Sequence, residues 1–219
     1  MGIQKGSFFK NPFIGLYIEA SDSLALLPKN APHDVEAQLH SVLQVKVVRT
    51  FVDESGLLGL FAVMNSSGCI LPGFAEESEL KMLRKEGLNV YRIKKGHSPG
   101  NNILANDRGA LVNPAVNPAD ARGISDCLGV EVFQQPVTNF GAIGSLNVIT
   151  NKGLLAYNDI SEVELKLMER IFKVKGAIGT VNFGSIANAL GVVANSKGAL
   201  VGETTSGFEM QRIYEGLFG

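Results

Sequence analysis

Two cysteines and three histidines are the side chains of this sequence that could act as nucleophiles, as bases or as ligands of a transition metal. Cys69 and Cys127 both stand in apolar stretches, where a free cysteine is usually a small buried hydrophobe. His33 and His40 are seven residues apart, and His97 lies in a polar loop. No cysteine or carboxylate stands at metal-ligand spacing from these histidines, so we predict no metal site.

Glycine is the other residue type whose spacing could carry chemistry, and it makes up 25 of 219 residues. The phosphate-binding pattern Gly-x-x-x-x-Gly-Lys-[Ser/Thr] is absent, and so is the dinucleotide pattern Gly-x-Gly-x-x-Gly. The glycines are accounted for by turns. We therefore predict no nucleotide and no other cofactor.

Composition limits the class of protein. The chain has 45% apolar and 19% charged residues, which argues against disorder. Twenty Lys and Arg stand against 21 Asp and Glu, so the chain is not a generally basic nucleic-acid coat. The longest apolar run, residues 56–64, is shorter than the roughly 20 residues of a membrane span. Without a secretory pattern and with only two cysteines, we expect a cytoplasmic protein that has no membrane partner.

One charge cluster stands out from this neutral background. Residues 81–97 carry six Lys or Arg against one Glu, a net charge of +5 over 17 residues. The cationic residues are Lys81, Arg84, Lys85, Arg92, Lys94 and Lys95. Either they belong to a solvated helix face that upstream glutamates at 76, 77 and 79 neutralise in part, or they contact RNA phosphate. The sequence leaves both interpretations open.

The elements that would position such residues repeat along the chain. A turn residue precedes a short apolar strand five times, at spacings of 45, 41, 44 and 45 residues. These turn residues are Ser23, Gly68, Gly109, Gly153 and Gly198. Five occurrences at nearly constant spacing indicate internal repeats, which bury their apolar faces against one another.

Each repeat has the same predicted order of strand, strand, helix and strand. Small residues form the first strand, at 15–20, 59–65, 100–106, 144–150 and 187–194. A turn rich in Asn, Ser and Gly then predicts a hairpin. A helix follows in every repeat, and in four of the five its apolar residues fall clearly at helical spacing. Two of these helices begin with capping boxes, Ser161 with Glu164 and Ser206 with Glu209. A β-branched strand ends the unit.

The fifth repeat reaches Gly219 without its last strand. Residues 3–8 supply a candidate, because they precede the first repeat and have no partner in their own unit. Five units completed in this way indicate a ring, since closure removes unpaired strand edges. We predict an α/β fold, a closed five-fold pseudosymmetric propeller of ββαβ repeats in a single domain, 1–219. The repeats lie at about 9–52, 53–95, 96–137, 138–181 and 182–219, and residues 1–8 complete the last.

Two stretches, 100–114 and 179–202, resemble archaeal and eukaryotic translation initiation factor six, and the elements Gly-Thr-Val-Asn and Glu-Thr-Thr-Ser are specific to that pattern. The similarity runs repeat by repeat through the whole chain. It implies the pentein fold, which is a five-fold α/β propeller, and binding to the large ribosomal subunit. In that family the bound factor covers the face that would meet the small subunit, so the two subunits cannot join.

The resemblance also implies where the ribosome is contacted. The family has Leu-Gly-Asn in its third repeat, at a contact with a large-subunit protein near the sarcin-ricin loop, and this chain has Pro99-Gly100-Asn101 there. Gly100 and Asn101 are therefore the expected contact residues. Repeat alignment adds three positions that each follow their own Gly directly: Leu16, Leu60 and Ser145. Lys94 and Lys95 are expected beside them if the basic segment touches ribosomal RNA. Alternatively, Asn101 only satisfies a hydrogen bond within its turn.

A second function stays open because the wider pentein group includes enzymes. The resemblance implies that these modify guanidino compounds with a Cys nucleophile near the chain end, a His base and acidic partners. Here no cysteine follows Cys127 and no histidine follows His97, although spacing does not exclude a pair of Cys69 with His97. A thiol needs a base within hydrogen-bonding reach. We expect a non-enzymatic, monomeric factor. We expect it to be of the archaeal type, because the chain reaches Gly219 without the phosphorylatable C-terminal tail of eukaryotic members.

Overall fold

The same order of elements occurs five times in the computed structural model, which describes residues 2–94, 98–137 and 141–219. A short helical segment leads into an inner strand, and a hairpin joins this strand to an antiparallel middle strand. A long helix then crosses over to an outer strand that runs parallel to the middle one, the connection that parallel neighbours require. Within the described residues, the strands form five separate three-stranded sheets.

The helices fall into two groups. The crossovers are the long helices α1 (His33–Leu43), α3 (Glu77–Lys85), α5 (Pro118–Leu128), α7 (Glu162–Phe172) and α9 (Gly207–Phe218). The short segments are a 3₁₀ turn (Ile14–Leu16) and the helices α2 (Leu58–Phe61), α4 (Pro99–Asn102), α6 (Ile143–Leu146) and α8 (Asn188–Gly191). Both predicted capping boxes are confirmed, at the starts of α7 and α9.

The strands occupy inner, middle and outer positions in the sheets. The inner strands are β2 (Glu19–Ala20), β5 (Val63–Met64), β8 (Ile103–Ala105), β11 (Val148–Ile149) and β14 (Val192–Ala194). The middle strands are β3 (Leu24–Pro28), β6 (Gly68–Leu71), β9 (Ala110–Val112), β12 (Gly153–Tyr157) and β15 (Gly198–Gly202). The outer strands are β4 (Lys46–Thr50), β7 (Asn89–Arg92), β10 (Val132–Gln134), β13 (Lys175–Gly179) and β1 (Gly2–Gly6).

The fifth sheet takes its outer strand from the N-terminal end of the chain. Strand β1 pairs in parallel with β15, with Gly2 opposite Gly198 and Gly6 opposite Gly202. The predicted pairing of the N-terminal strand with the fifth repeat is therefore confirmed. No helix within residues 2–94, 98–137 and 141–219 is both long enough and apolar enough to cross a membrane.

Two details of the predicted repeat are wrong. The first predicted strand of each unit begins as a helical segment and becomes a strand only over its last two or three residues. The predicted alignment of the first hairpin is also shifted by one residue. The Ser21 N–H donates to the Leu24 carbonyl at 2.8 Å, as the Asn65 N–H does to Gly68 at 3.1 Å. Leu24, not Ser23, is therefore the counterpart of Gly68.

The apolar core is divided among the interfaces between consecutive repeats. Helix α1 brings Val35 and Leu39 against Leu200 of the fifth repeat. Helix α9 likewise brings Ile213 against Leu155 of the fourth. Each cluster combines a helix of one repeat with the sheet of its neighbour, so a repeat on its own would leave its apolar face in water.

Buried asparagines at the hairpins join neighbouring repeats. Asn106 donates from Nδ2 to the carbonyl of Phe172 at the end of α7, at 3.1 Å, while its Oδ1 accepts from the Gly109 N–H. Asn195 does the same for Leu43 at the end of α1, at 2.9 Å. Each amide thus closes its own hairpin and satisfies a helix-end carbonyl that has no partner within the helix.

Candidate functional site

The five short helical segments contact one another in succession around a central cavity, and we call them the short-helix ring. The last of them, α8, contacts the 3₁₀ turn of the first repeat. A Cβ on Gly59 would lie 1.8 Å from the Gly15 carbonyl oxygen, and a Cβ on Gly100 would lie 2.0 Å from that of Gly59. A Cβ on Gly144 would lie 2.1 Å from the Gly100 carbonyl oxygen, and a Cβ on Gly15 would lie 1.9 Å from that of Ala189. Only a residue without Cβ allows backbones to come this close.

The residue after each of these glycines lies on the rim of the short-helix ring. Leu16, Leu60, Asn101 and Ser145 are all partly exposed, and their segments are joined by the contacts just described. The predicted contact residues thus lie on one end of the molecule, next to Gly100. They form a mixed apolar and polar surface of the composition that protein–protein contacts commonly have.

Asn101 keeps its side-chain amide free within the described part of the chain. Its backbone N–H donates to the Ser98 carbonyl at 3.1 Å. The side chain that serves this turn is that of Asn102, whose Nδ2 donates to the same carbonyl at 3.0 Å. The described residues hold no hydrogen-bond partner for the Asn101 amide, which favours a contact with a binding partner over a hydrogen bond within its turn.

The fifth rim position, Leu190, was missed by sequence reasoning. Its repeat has Ala189 where the other four have Gly, so the Gly-x signal is lost there. A second signal is intact, because in every repeat the first residue of the hairpin lies six residues after the Gly or Ala that precedes the rim residue, as Asn195 lies six residues after Ala189. Counting back from the hairpins identifies Leu190 without any glycine.

A central cavity of about 90 Å³ lies behind the short-helix ring and is lined by inner-strand residues of all five repeats. Among its described lining residues Glu19 is the only ionisable one, and its Oε1 accepts from the Met64 N–H at 3.0 Å. Burial raises the pKa of Glu19 from 4.5 to about 8, although that hydrogen bond acts in the opposite direction. Burial, and next the nearby Glu19, also raise the pKa of the Cys69 thiol.

Replacing Glu19 by Gln should remove a pH dependence of stability. Because the pKa is raised from 4.5 to about 8 in the folded chain, only the unfolded chain ionises between these values. The native state therefore loses stability as the pH rises through that window, by a few kcal/mol in total. Urea unfolding between about pH 5 and 9 should show a slope for the wild type that Glu19→Gln lacks. The exposed variant Glu54→Gln should keep the wild-type slope, and parallel profiles for Glu19→Gln would contradict the prediction.

Polar side chains at the hairpin tips, among them Asp22, Asp107 and Asn151, line a second cavity of about 30 Å³ at the hairpin end of the molecule. Asp22 accepts from the N–H and the hydroxyl of Ser196, both at 2.7 Å, and Asp107 accepts from the same two groups of Ser66. Asn151 donates to both carboxylates, at 2.8 and 2.6 Å. Burial opposes ionisation of Asp22, but these hydrogen bonds prevail and lower its pKa. The carboxylates at this end are satisfied within the chain, which makes the short-helix ring the better candidate for binding.

Carboxylates from the long helices hold the turns that join consecutive repeats, which we call the junction turns. The acceptor is the third residue of the helix, and the donor is a backbone N–H of the preceding turn. The three pairs are Asp53 N–H with Glu79 at 2.8 Å, Lys94 N–H with Asp120 at 3.1 Å, and Gly184 N–H with Glu209 at 2.8 Å. Sequence reasoning identified Glu209 only as half of a capping box. The recurrence of an acidic residue at the third helical position was the available signal.

Two residues of the predicted basic segment pair with the same glutamate. Arg84 lies in the last turn of α3 and Arg92 at the end of β7, and both pair with Glu77, at 2.9 and 3.9 Å. The predicted partial neutralisation of the basic segment by upstream glutamates is confirmed for Glu77. Lys94 is exposed beyond the end of β7. Lys95 lies outside the described residues.

The two cysteines pack in different apolar clusters. Burial raises the pKa of Cys127 to about 11 and that of Cys69 well above its ordinary value. A nucleophilic thiol needs the opposite shift. His97, the base considered for Cys69, lies outside the described residues. In the rest of the chain, no group of three or more His, Cys, Asp or Glu is placed to hold a metal ion.

One serine stands in a hydrolase-like pattern that we took to be absent from the sequence, and that interpretation was wrong. Residues 96–100 read Gly-His-Ser-Pro-Gly, which fits the Gly-x-Ser-x-Gly of a nucleophile elbow. In the structure Ser98 precedes the four-residue helix α4, and its carbonyl binds two neighbouring residues of that helix. No histidine or carboxylate contacts its hydroxyl within the described residues, so the pattern marks the start of a rim segment.

Comparison with known proteins gives a similarity over nearly the whole chain. The eIF-6 family model matches residues 3–216. A Thermoplasma acidophilum protein named translation initiation factor 6 is 40% identical over 212 residues, which cover 96% of this chain and 97% of its own. Archaeal proteins of the same name from Saccharolobus islandicus and Thermococcus onnurineus are 36% and 33% identical, each over 99% of this chain. These matches span 99% and 98% of the two relatives' own lengths.

Proposed function

The chain belongs to the eIF-6 family of translation initiation factors, and we propose on that basis that it binds the large ribosomal subunit and prevents the small subunit from joining it. The observation that carries the proposal is the match over residues 3–216, which includes every repeat. It acts as a monomer, one chain per subunit, in the cytoplasm, and it needs no cofactor.

We infer that the five units close into a propeller and act as a single domain. Two contacts support closure: β1 supplies the outer strand of the fifth sheet, and α8 contacts the 3₁₀ turn of the first repeat. Cores shared between neighbouring repeats support a single cooperative unit, because separating any two repeats would expose apolar surface.

The short-helix ring is the proposed surface for the ribosome. Its rim presents Leu16, Leu60, Asn101 and Ser145 beside Gly100, and close backbone packing fixes their positions. A rim held by backbone contacts loses little conformational freedom on binding. Lys94 and Lys95 are the proposed contacts with ribosomal RNA.

Steric exclusion is sufficient for the proposed activity. A stable interface takes about 800 Å² from each partner, a small part of the 9162 Å² that the chain exposes to solvent. The remaining bulk of the factor would then stand on the subunit surface. No chemical step is required if that surface overlaps the one that meets the small subunit.

The enzymatic alternative has little support. The guanidino-modifying reaction needs an activated thiol, and burial raises the pKa of both cysteines of this chain. Incubation with arginine derivatives and an assay for citrulline tests this alternative directly. Product formed in proportion to protein would overturn the non-enzymatic proposal.

Sedimentation with isolated ribosomal subunits tests the proposed binding. We expect the protein to sediment with large subunits at a ratio of about one to one and to stay in the supernatant with small subunits. Equal sedimentation with both subunits, or with neither, would contradict the proposal.

Replacing Asn101 by Ser should weaken binding to the large subunit without changing the melting temperature. An interfacial amide left without its partner costs about 1–3 kcal/mol, or roughly five- to 150-fold in affinity. Stability should be unchanged because the amide has no hydrogen bond within the described chain. Ser67→Ala, at the exposed hairpin end, is the control that should bind like wild type. Wild-type affinity for a folded Asn101→Ser protein would move the interface elsewhere.

A further inference from the structure

Two phenylalanine rings beside the junction of the fourth and fifth repeats are largely exposed to solvent. The exposed fraction is 83% for Phe183 and 73% for Phe208. The two residues are linked through Glu209, because the Phe183 N–H donates to the Glu209 carboxylate at 3.2 Å and Glu209 directly follows Phe208. We call these two rings, with the turn 182–184, the aromatic surface. Exposed apolar groups this close together commonly mark an interaction site.

The fold itself does not require aromatic residues at these positions. Phe183 follows Asn182 in a junction turn where both have left-handed backbone, with φ of 63° and 51°. The junction turn between the first two repeats has the same left-handed pair, with Asp53 and Glu54 at φ of 51° and 61°. Polar residues therefore serve the same turn elsewhere in this chain. The position of Phe208, second in its helix, is occupied by Ser78, Ala119 and Val163 in α3, α5 and α7.

The turn that carries Phe183 is held on both sides. Glu209 accepts from the N–H groups of Phe183 and Gly184, and from the Thr180 hydroxyl at 2.9 Å. Burial opposes ionisation of Glu209, but its hydrogen bonds prevail and lower its pKa, so it is a carboxylate at neutral pH. On the other side Asn182 donates from Nδ2 to a carbonyl of the first repeat at 3.0 Å. A left-handed phenylalanine is strained, and these bonds fix it as a rigid, exposed anchor.

The charge around the aromatic surface identifies the kind of partner. In residues 180–187 and 202–211 Glu203 is the only exposed ionisable side chain, because Glu209 is buried, and the next cation along α9, Arg212, pairs with Glu215 at 2.7 Å. RNA contacts depend on cationic side chains that neutralise phosphate, so this surface is unsuited to RNA. Large rigid aromatic side chains are instead the residues that dominate protein–protein contacts. A neutral or basic protein segment with an apolar side chain would match both the rings and the local charge.

We propose that the aromatic surface is a protein-binding site that extends the contact with the large subunit, and that its partner is a neutral or basic segment of a large-subunit protein. The turn 182–184 is separated by only three residues from α8, a member of the short-helix ring, so both surfaces can face the same subunit. This proposal rests on the proposed function and adds a second, RNA-free contact to it.

Photo-crosslinking from position 183 tests the proposal. A variant with p-benzoyl-phenylalanine in place of Phe183 is bound to isolated archaeal large subunits and irradiated. We expect the crosslink on a ribosomal protein, whereas the same group in place of Tyr214, farther along α9, should give none or much less. A crosslink to ribosomal RNA alone, or no crosslink from a variant that sediments with the subunit, would overturn this inference and leave the proposed function intact. A wild-type protein that fails to sediment with large subunits would overturn both.

An affinity measurement provides the second readout. Phe183→Asn should fold normally, because Asn adopts left-handed backbone readily. Loss of the ring, which the proposed partner would bury, should weaken binding to large subunits roughly ten- to 100-fold. Val163→Asn removes an apolar side chain of similar exposure from the matching helix of the fourth repeat and should bind like wild type. Equal affinities for Phe183→Asn and wild type would contradict the proposal.

Discussion

Removal of residues 1–8 is expected to unfold or aggregate the protein at temperatures at which the full chain is folded. Strand β15 would lose its parallel partner over Gly2–Gly6, leaving backbone groups unpaired. Phe8 would be lost as well, and it is buried and stacks on Tyr17 with ring centroids 4.2 Å apart. Loss of one buried Phe side chain costs about 3–5 kcal/mol, a large part of the roughly 5–15 kcal/mol that stabilises a domain. Thermal unfolding and size-exclusion chromatography measure the effect.

A circular permutant is the matched control for this truncation. It begins at Phe9, in an exposed turn, and joins Gly219 directly to Met1. In the other four repeats two or three residues connect the long helix to the outer strand, and the fusion leaves two, Gly219 and Met1. The permutant should therefore melt close to the full chain. A truncated protein as stable as the full chain, or a permutant as unstable as the truncation, would contradict a fifth repeat completed by β1.

Replacing Gly59 by Ala should destabilise the protein by about 3 kcal/mol or more. The new Cβ would lie 1.8 Å from the Gly15 carbonyl oxygen, and a backbone oxygen cannot turn away as a side chain can. Two segments of the short-helix ring must separate, which also moves the rim residue Leu60. For a chain of this length the melting temperature should fall by roughly 6–12 °C. Urea or thermal unfolding measures this change.

Gly207→Ala is the control for the steric explanation. Nothing lies within 4 Å of a Cβ at that position, which is the first residue of α9. Alanine there should be neutral or stabilising by up to about 1 kcal/mol. If Gly59→Ala and Gly207→Ala melt alike, close packing of the short-helix ring does not limit stability.

Much of the fold could be predicted because its signals are local and recur. Hairpin turns at nearly constant spacing indicated five units, and the unpaired stretch 3–8 indicated the missing strand. The helical start of each inner segment was missed, because four residues are too few to show helical periodicity. The helical start has a tertiary cause, because Gly59 and its counterparts pack directly against the backbone of a neighbouring segment. Sequence spacing alone does not reveal that contact.

The candidate site was predicted less completely for the same physical reason. Four rim residues follow their glycines and were identified, whereas Leu190 follows an alanine and was not. The basic residues were counted as one cluster along the chain, but in the folded chain Arg84 and Arg92 pair with Glu77, which reduces the positive charge that they offer to a partner. The carboxylate of Glu209 looked like a capping residue, and only the folded chain shows that it also binds the preceding junction turn.

The most direct test of the proposed function is an assay of ribosomal subunit joining by light scattering. Large subunits saturated with the protein are mixed with small subunits, and binding is confirmed in the same samples by sedimentation. We expect the fraction of joined subunits to fall in proportion to occupancy, with Asn101→Ser requiring a higher concentration for the same effect. Normal joining by large subunits that demonstrably carry the factor would contradict the anti-association function.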